Sequence, residues 1–245
     1  MLEINQIHEG DCLELMKEIS NKSINLILCD LPYGKTECEW DSTIDLRLLW
    51  KQYKRVLKDD GIIVLTATID FALVLINSNQ DMFRYDLIWD KKLPTGFLNA
   101  NRQPLRVHEH ILIFYNKLGT YNPIKRKGIK RSTGGKIYSM SECYNKISKP
   151  KQRKIYDEYY PTSILRFGNA NQKKKEHPTQ KPLELFNYLI KTYSNKGDLI
   201  LDNCIGSGTT AVACKQLYRN FIGIEKERKY CKIANQRLSQ EVLLV

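Results

Sequence analysis

A chain of 245 residues can bury one good core, and its 42% hydrophobic and 10% aromatic content excludes disorder as its overall state. No apolar run approaches the roughly 18 to 20 residues that cross a bilayer, and the N-terminal MLEINQIHEGD lacks a basic stretch followed by an apolar one, so a cytoplasmic location is expected. Lys and Arg number 39 against 27 acids, a net charge of +12 that points to a polyanionic partner.

In chain order, short apolar runs alternate with helical patterns. A short strand around Ile4–His8 precedes INLILCD (24–30). Apolar spacing of three and four then predicts a helix over Leu46–Leu57, with Gly61 marking its stop. The strands GIIVLTA (61–67), YDLIWD (85–90) and HILIFYN (110–116) follow. Residues 117–176 break the rhythm: Gly128, Gly134, Gly135, Pro123, Pro150 and Pro161 lie among scattered tyrosines and cations. A structureless loop of that length is unusual in a compact domain, so 117–176 is read as an inserted region between catalytic segments 1–116 and 177–245. The pattern resumes with helix Leu183–Tyr193, a stop at Gly197, strand LILDN (199–203), helix Thr209–Leu217, strand NFIGIE (220–225) and helix Glu227–Leu238. Alternation of this kind predicts a doubly wound α/β fold with a mainly parallel sheet of seven strands.

Residues 116–175 hold 16 Lys/Arg and three acids, a balance of +13 that leaves the rest of the chain at −1. Such segregation fits phosphate binding, although a solvated lysine-rich loop has the same composition. The seven cysteines are odd in number and form no Cys-x-x-Cys pair, which argues against a zinc knuckle and a disulfide framework. They read mostly as reduced, small apolar residues.

Two strand ends carry candidate chemistry. In DLILDNCIGSGTTAVACKQL (198–217) a strand ends at Asp202, and a turn containing Gly206 and Gly208 leads into a helix near Thr209. Such turns bring backbone amides close to a ligand at the carboxyl edge of a sheet. Glu225 closes the next strand about 20 residues further on, the spacing at which an acid meets ribose hydroxyls. Ala211 stands where a third glycine would complete a dinucleotide fingerprint, which disfavours redox dinucleotides. In ILCDLPYG, Asp30 ends a buried strand and is followed by Leu31, Pro32 and Tyr33. The segment reads either as a capped strand-to-loop turn or as a site in which Asp30 and the Leu31 carbonyl accept hydrogen bonds from an exocyclic amino group. Those bonds localise the nitrogen lone pair as it attacks a methyl group, and Tyr33 stacks on the flipped base.

ILCDLPYG resembles the DPPY catalytic motif of the amino-DNA methyltransferases, and LDNCIGSGTT resembles their FxGxG cofactor motif. Between them, HPTQKPLELFNYLI (177–190) is similar to the segment that precedes the cofactor loop in the same enzymes. The motif order matches the β-class arrangement, over nearly the whole chain except 117–176. The resemblance implies S-adenosylmethionine as cofactor and no metal. It implies that Asp202, Gly206, Gly208 and Thr209 line the methionine part of the cofactor site, that Glu225 binds the ribose, and that Asp11 lies close to the adenine. Thr179 and Lys181 would face the cofactor carboxylate, while His177 reads equally as structural. Leu31 replaces the first proline of DPPY, and Asn203 and Cys204 stand where the family has Pro and Phe, which leaves a smaller face beside the methionine.

An Asp at the head of the motif goes mostly with adenine, so adenine in double-stranded DNA is the expected target, with cytosine amino methylation as the alternative. Ring-carbon methylation is set aside, since no Pro-Cys pair supplies its thiolate. Lys125, Arg126, Lys130 and Arg131 in the inserted region, then Arg102 and Arg106, are the candidate DNA contacts. An RNA methyltransferase and a catalytically silent nucleic-acid-binding module are further alternatives. The resemblance is compatible with a homodimer and with a cognate restriction endonuclease.

Overall fold

The structure is a computed structural model that describes residues 1–33, 44–133, 154–168 and 180–240. It divides into two compact units, residues 1–122 with 163–245, and residues 123–162. The larger unit opens with β1 (Gln6–Glu9), α1 (Cys12–Leu15), β2 (Ile24–Cys29), α2 (Leu46–Val56), β3 (Leu57–Ala67), α3 (Ile69–Ser78), β4 (Phe83–Thr95) and β5 (Arg106–Phe114). The smaller unit contains β6 (Arg126–Thr133) and β7 (Lys154–Tyr159). The larger then resumes with β8 (Ile164–Arg166), α4 (Leu183–Tyr193), β9 (Leu199–Asp202), α5 (Thr209–Leu217), β10 (Asn220–Glu225) and α6 (Arg228–Ser239).

The eight strands of the larger unit form one sheet in the order β1-β10-β9-β2-β3-β5-β4-β8. Every adjacent pair is parallel except the two made by β5, which runs antiparallel to both β3 and β4. The carboxyl ends of β2, β4, β9 and β10 therefore share one edge. From β2 the chain winds outward through β3, whereas from β9 it winds the other way through β10. The crevice between β2 and β9 is thus the topological switch point, where open α/β sheets bind ligands.

Strand alternation explains how both faces become buried. Ile24, Ile27, Cys29, Ile63 and Leu65 pack on one face with Leu49, Trp50, Tyr53 and Val56 of α2. Leu26, Leu28, Ile62 and Val64 pack on the other with Leu185, Phe186, Leu189 and Ile190 of α4 and with Ala211, Ala213 and Cys214 of α5. A side-chain period of two sends neighbours to opposite faces, and spacings of three and four give α2 and α4 one apolar stripe each. α2 is started by Asp45, whose carboxylate accepts from the Leu48 amide at 3.1 Å. Cys12, Cys29, Cys214 and Cys231 are buried free thiols and Cys204 is half-buried.

All seven expected strands and all four expected helices form. Gly61 is not the helix stop: α2 ends at Val56 as Leu57 turns extended, and β3 runs straight through Gly61. A Cβ there would lie 2.6 Å from the Leu57 side chain, so glycine serves close packing within the strand. The eighth strand, β8, comes from the stretch read as inserted; it pairs with β4, and the compact smaller unit is narrower than 117–176. α3 adds a helix beyond those the periodicity predicts, because IDFALVLINS is apolar nearly all round and shows no stripe. Among the described residues no helix is long and apolar enough to cross a membrane.

The smaller unit is built on the antiparallel pair β6 and β7. Gly128 allows the Tyr159 ring to lie close, since a Cβ would come within 2.8 Å of it. Around that ring sit the guanidinium groups of Arg126 and Arg131, 5.9 and 5.7 Å from its centre, while Lys125 lies 5.4 Å from the Tyr160 ring and 3.5 Å from Glu158. Lys125, Arg126, Lys130 and Arg131 are all exposed.

Candidate active site

Asp30 follows the last residue of β2 and is the centre of a polar cluster at the carboxyl edge. One carboxylate oxygen, Oδ1, accepts from the Tyr33 hydroxyl at 2.7 Å and from the Thr66 hydroxyl at the end of β3. The other, Oδ2, accepts from Lys181 Nζ at 2.7 Å. A carboxylate offers roughly four acceptor sites, so these three donors fix its orientation and, among the described residues, leave one site on Oδ2. Lys181 also lies 3.5 Å from Glu109 of β5, which in turn meets Lys91 of β4 at 3.2 Å. Burial opposes the lysine charge, but Asp30, Tyr33 and Glu109 together hold the Lys181 ammonium above its ordinary range. Burial likewise works against the Glu109 carboxylate, yet Lys181 and Lys91 keep it below its usual value. The four charges sum to zero, which is how a half-enclosed site retains them.

Aromatic side chains wall this cluster. The Tyr33 ring packs at 5.1 Å from Phe71 of α3, and Lys181 Nζ lies 5.8 Å from the Tyr33 ring centre and 6.0 Å from that of Trp89. Trp89 is fixed by its indole N–H, which donates to the Phe167 carbonyl at 2.8 Å. Leu31 is buried and Pro32 half-buried, so the residue that departs from the family motif serves as core.

The second half of the site lies on the neighbouring strands. Asp202 ends β9, where its carboxylate accepts from Thr210 of α5 and from the Cys204 amide at 3.2 Å. Burial pushes it up to about 7 despite those bonds. Asn203 beside it accepts from the Tyr53 hydroxyl at 2.5 Å. Glu225, at the end of β10, accepts from the Gly206 amide at 2.8 Å on one oxygen and from the Glu227 amide at 2.8 Å on the other, and its burial raises its pKa. Gly206 adopts a left-handed backbone, φ +53°, which aims that amide at Glu225.

The structure brings Asp30, Leu31, Pro32, Tyr33 and Lys181 together at one edge position, and Asp202, Cys204, Gly206 and Glu225 at adjacent strand ends. Lys181, expected on a cofactor carboxylate, pairs with Asp30 and Glu109. Gly208 has a packing reason for being glycine: at φ +83° its Cβ would lie 2.8 Å from that of Ala234 in α6. Thr209 is buried beside Arg237, 3.4 Å from its guanidinium. Asp11 caps α1, accepting from the Leu13 and Glu14 amides at 2.9 and 3.2 Å. Arg102 is exposed on the segment joining β4 and β5, and Arg106 is exposed at the start of β5. Thr179 and His177 lie outside the described residues. Sequence reasoning misses Thr66, Trp89, Lys91 and Glu109 on strands and Phe71 on α3, since these segments carry no motif and give no local signal beyond a lysine and an acid beside apolar runs.

Comparison with known proteins accounts for this arrangement. The family model for N6/N4 methyltransferases, described as DNA methylase, matches residues 24–236. The type II methyltransferase M1.MboII of Moraxella bovis is 30% identical over 98% of both chains, and M.HinfI of Haemophilus influenzae is 32% identical over 97% of this chain and 69% of its own. The crystal structure of the M1.HpyAVI–SAM complex superposes with a TM-score of 0.66 at 26% identity, covering 96% of this chain and 98% of that one. With the carboxylate of Asp30 and the glycine turn after Asp202 at neighbouring strand ends, and the match running through both, the chain belongs to the N6/N4 amino-methyltransferase family of DNA methylases.

Proposed function

We propose that this protein transfers a methyl group from S-adenosylmethionine to the exocyclic amino group of adenine at specific sites in double-stranded DNA. The observation that carries the reading is the Asp30 carboxylate, oriented by Tyr33, Thr66 and Lys181 with one acceptor site left on Oδ2 among the described residues. That site accepts one amino hydrogen and the Leu31 carbonyl accepts the other. Both bonds raise electron density on a nitrogen whose lone pair is otherwise drawn into the ring. The reacting base must leave the duplex to reach Asp30, and Tyr33 is the aromatic side chain beside Asp30 that an extruded base could stack on.

The residues at β9 and β10 suit the cofactor. The Glu225 carboxylate, each oxygen already steadied by one backbone amide, keeps acceptor capacity for ribose hydroxyls. Asp202, Cys204 and Gly206 would border the methionine portion, with Gly208 and Thr209 shaping the turn beneath, and Asp11 would approach the adenine. When bound, S-adenosylmethionine supplies an electrophilic methyl group. Lys125, Arg126, Lys130 and Arg131, with Arg102 and Arg106, would supply cations to DNA phosphates.

The test is transfer of labelled methyl from S-adenosylmethionine to unmethylated duplex DNA, followed by digestion to nucleosides. Wild type is expected to yield N6-methyladenine, and Asp30→Ala to lose at least about a hundredfold in rate, the scale of one lost transition-state partner, while still binding cofactor. N4-methylcytosine as the product would overturn the base assignment and leave the family reading standing.

A further inference from the structure

The segment between β4 and β5 is an ordered turn with apolar side chains at its tip. Gly96, at φ +92°, starts it, and the amides of Asn99, Ala100 and Arg102 donate to the carbonyls of Gly96, Phe97 and Asn99 at 3.0, 3.0 and 2.9 Å. Leu98 is fully exposed and Phe97 is 69% exposed, with Leu93 and Val107 also facing solvent. Isolated exposed apolar residues are ordinary, but two adjacent ones at the tip of an ordered turn, with Leu93 at the end of β4 and Val107 at the start of β5 beside them, are not. The exposed cations Lys92, Arg102 and Arg106 flank them, and residues 91–108 include no acid.

The root of this turn is tied to the reacting carboxylate. Lys91 Nζ lies 3.4 Å from the Thr95 hydroxyl and 3.2 Å from Glu109, which meets Lys181, which meets Asp30. Phe97 follows Thr95 by two residues, and β4 ends on the same sheet edge as β2. We propose that residues 96–107 form a DNA-docking turn in which Phe97 and Leu98 enter the base stack beside the extruded base, while Lys92, Arg102 and Arg106 hold the adjoining phosphates. Apolar wedges flanked by cations are a recurrent means of propping open a duplex. The charge of the turn and its link to Asp30 through Lys91, Glu109 and Lys181 select duplex DNA as its occupant, and the inference rests on the DNA methylation reading above.

The experiment uses the full-length Phe97→Ala/Leu98→Ala double variant and duplex oligonucleotides carrying the sequence at which wild type methylates unmethylated plasmid DNA. One duplex is fully paired, and in the other the target base is mismatched and so needs less help to leave the stack. The methylation rate on the paired duplex is expected to fall at least about tenfold, and that on the mismatched duplex to change less than about twofold. Thermal unfolding and S-adenosylmethionine binding should match wild type. Equal losses on both substrates, or no loss on either, overturn the wedge. So does an unchanged rate with reduced self-association in sedimentation, which would make the turn an interface between copies. A wild type inactive on DNA would fail the functional reading itself, whereas an active wild type with an equally active variant fails the wedge alone.

Discussion

Glu109 lies between two ammonium groups, 3.2 Å from Lys91 and 3.5 Å from Lys181, with its side chain 15% exposed. Removing one member of a buried ionic network leaves the others uncompensated and costs about 3 kcal/mol or more. Glu109→Gln is therefore expected to lower stability by about 3 kcal/mol in urea denaturation. Glu14→Gln, which breaks the solvent-exposed pair with Lys17, should leave the midpoint essentially in place. Equal midpoints for Glu109→Gln and wild type would show that Lys91 and Lys181 find other counterions. Asp30 and Tyr33 are legible in the sequence because the two lie within one short motif. Glu109 is not, since an acid in a strand acquires meaning only from what the neighbouring strands place beside it.

Among the elements, the turn from β9 to α5 combines two glycine demands with different causes. Gly206 needs its left-handed backbone to present an amide to Glu225, whereas Gly208 needs both φ +83° and an absent side chain, because α6 lies against it. Gly208→Ala should cost about 2 kcal/mol or more from strain plus overlap with Ala234. Gly197→Ala, at φ +84° with nothing within 4 Å of its Cβ, should cost only about 1 kcal/mol. Denaturant titration of the two variants checks the difference, and equal losses would assign the whole effect to backbone strain. Helices α2, α4 and α6 are readable because each shows one apolar stripe, and α5 because a glycine turn marks its start, its residues Thr209–Cys214 being buried all round. α3 is not, since Ile69, Leu73 and Val74 stay exposed while Ala72 and Leu75 are buried, so composition alone gives it no sidedness.

At the scale of the whole molecule, the charge segregation read from composition is matched by exposed cations on β6 and around the Tyr159 and Tyr160 rings. If Lys125, Arg126, Lys130 and Arg131 neutralise phosphates, their combined replacement by Ala should flatten the dependence of log affinity on log salt. The expected change in slope is about 0.9 for each phosphate that is no longer neutralised, measured by fluorescence anisotropy on duplex DNA. An unchanged slope would mark these residues as solvated charge. Local sequence by itself determined the alternation of strands and helices, the acid that ends β2 and the glycine turn after β9, because periodicity and turn chemistry act within a few residues. Only the tertiary structure decided that Lys181, 151 residues from Asp30, grips it, and that Thr66, Glu109 and Lys91 complete the cluster. It also decided that Gly61 belongs to a strand. Strand order sets those neighbours, and strand order follows from burying both faces of one sheet at once, a condition no single segment contains.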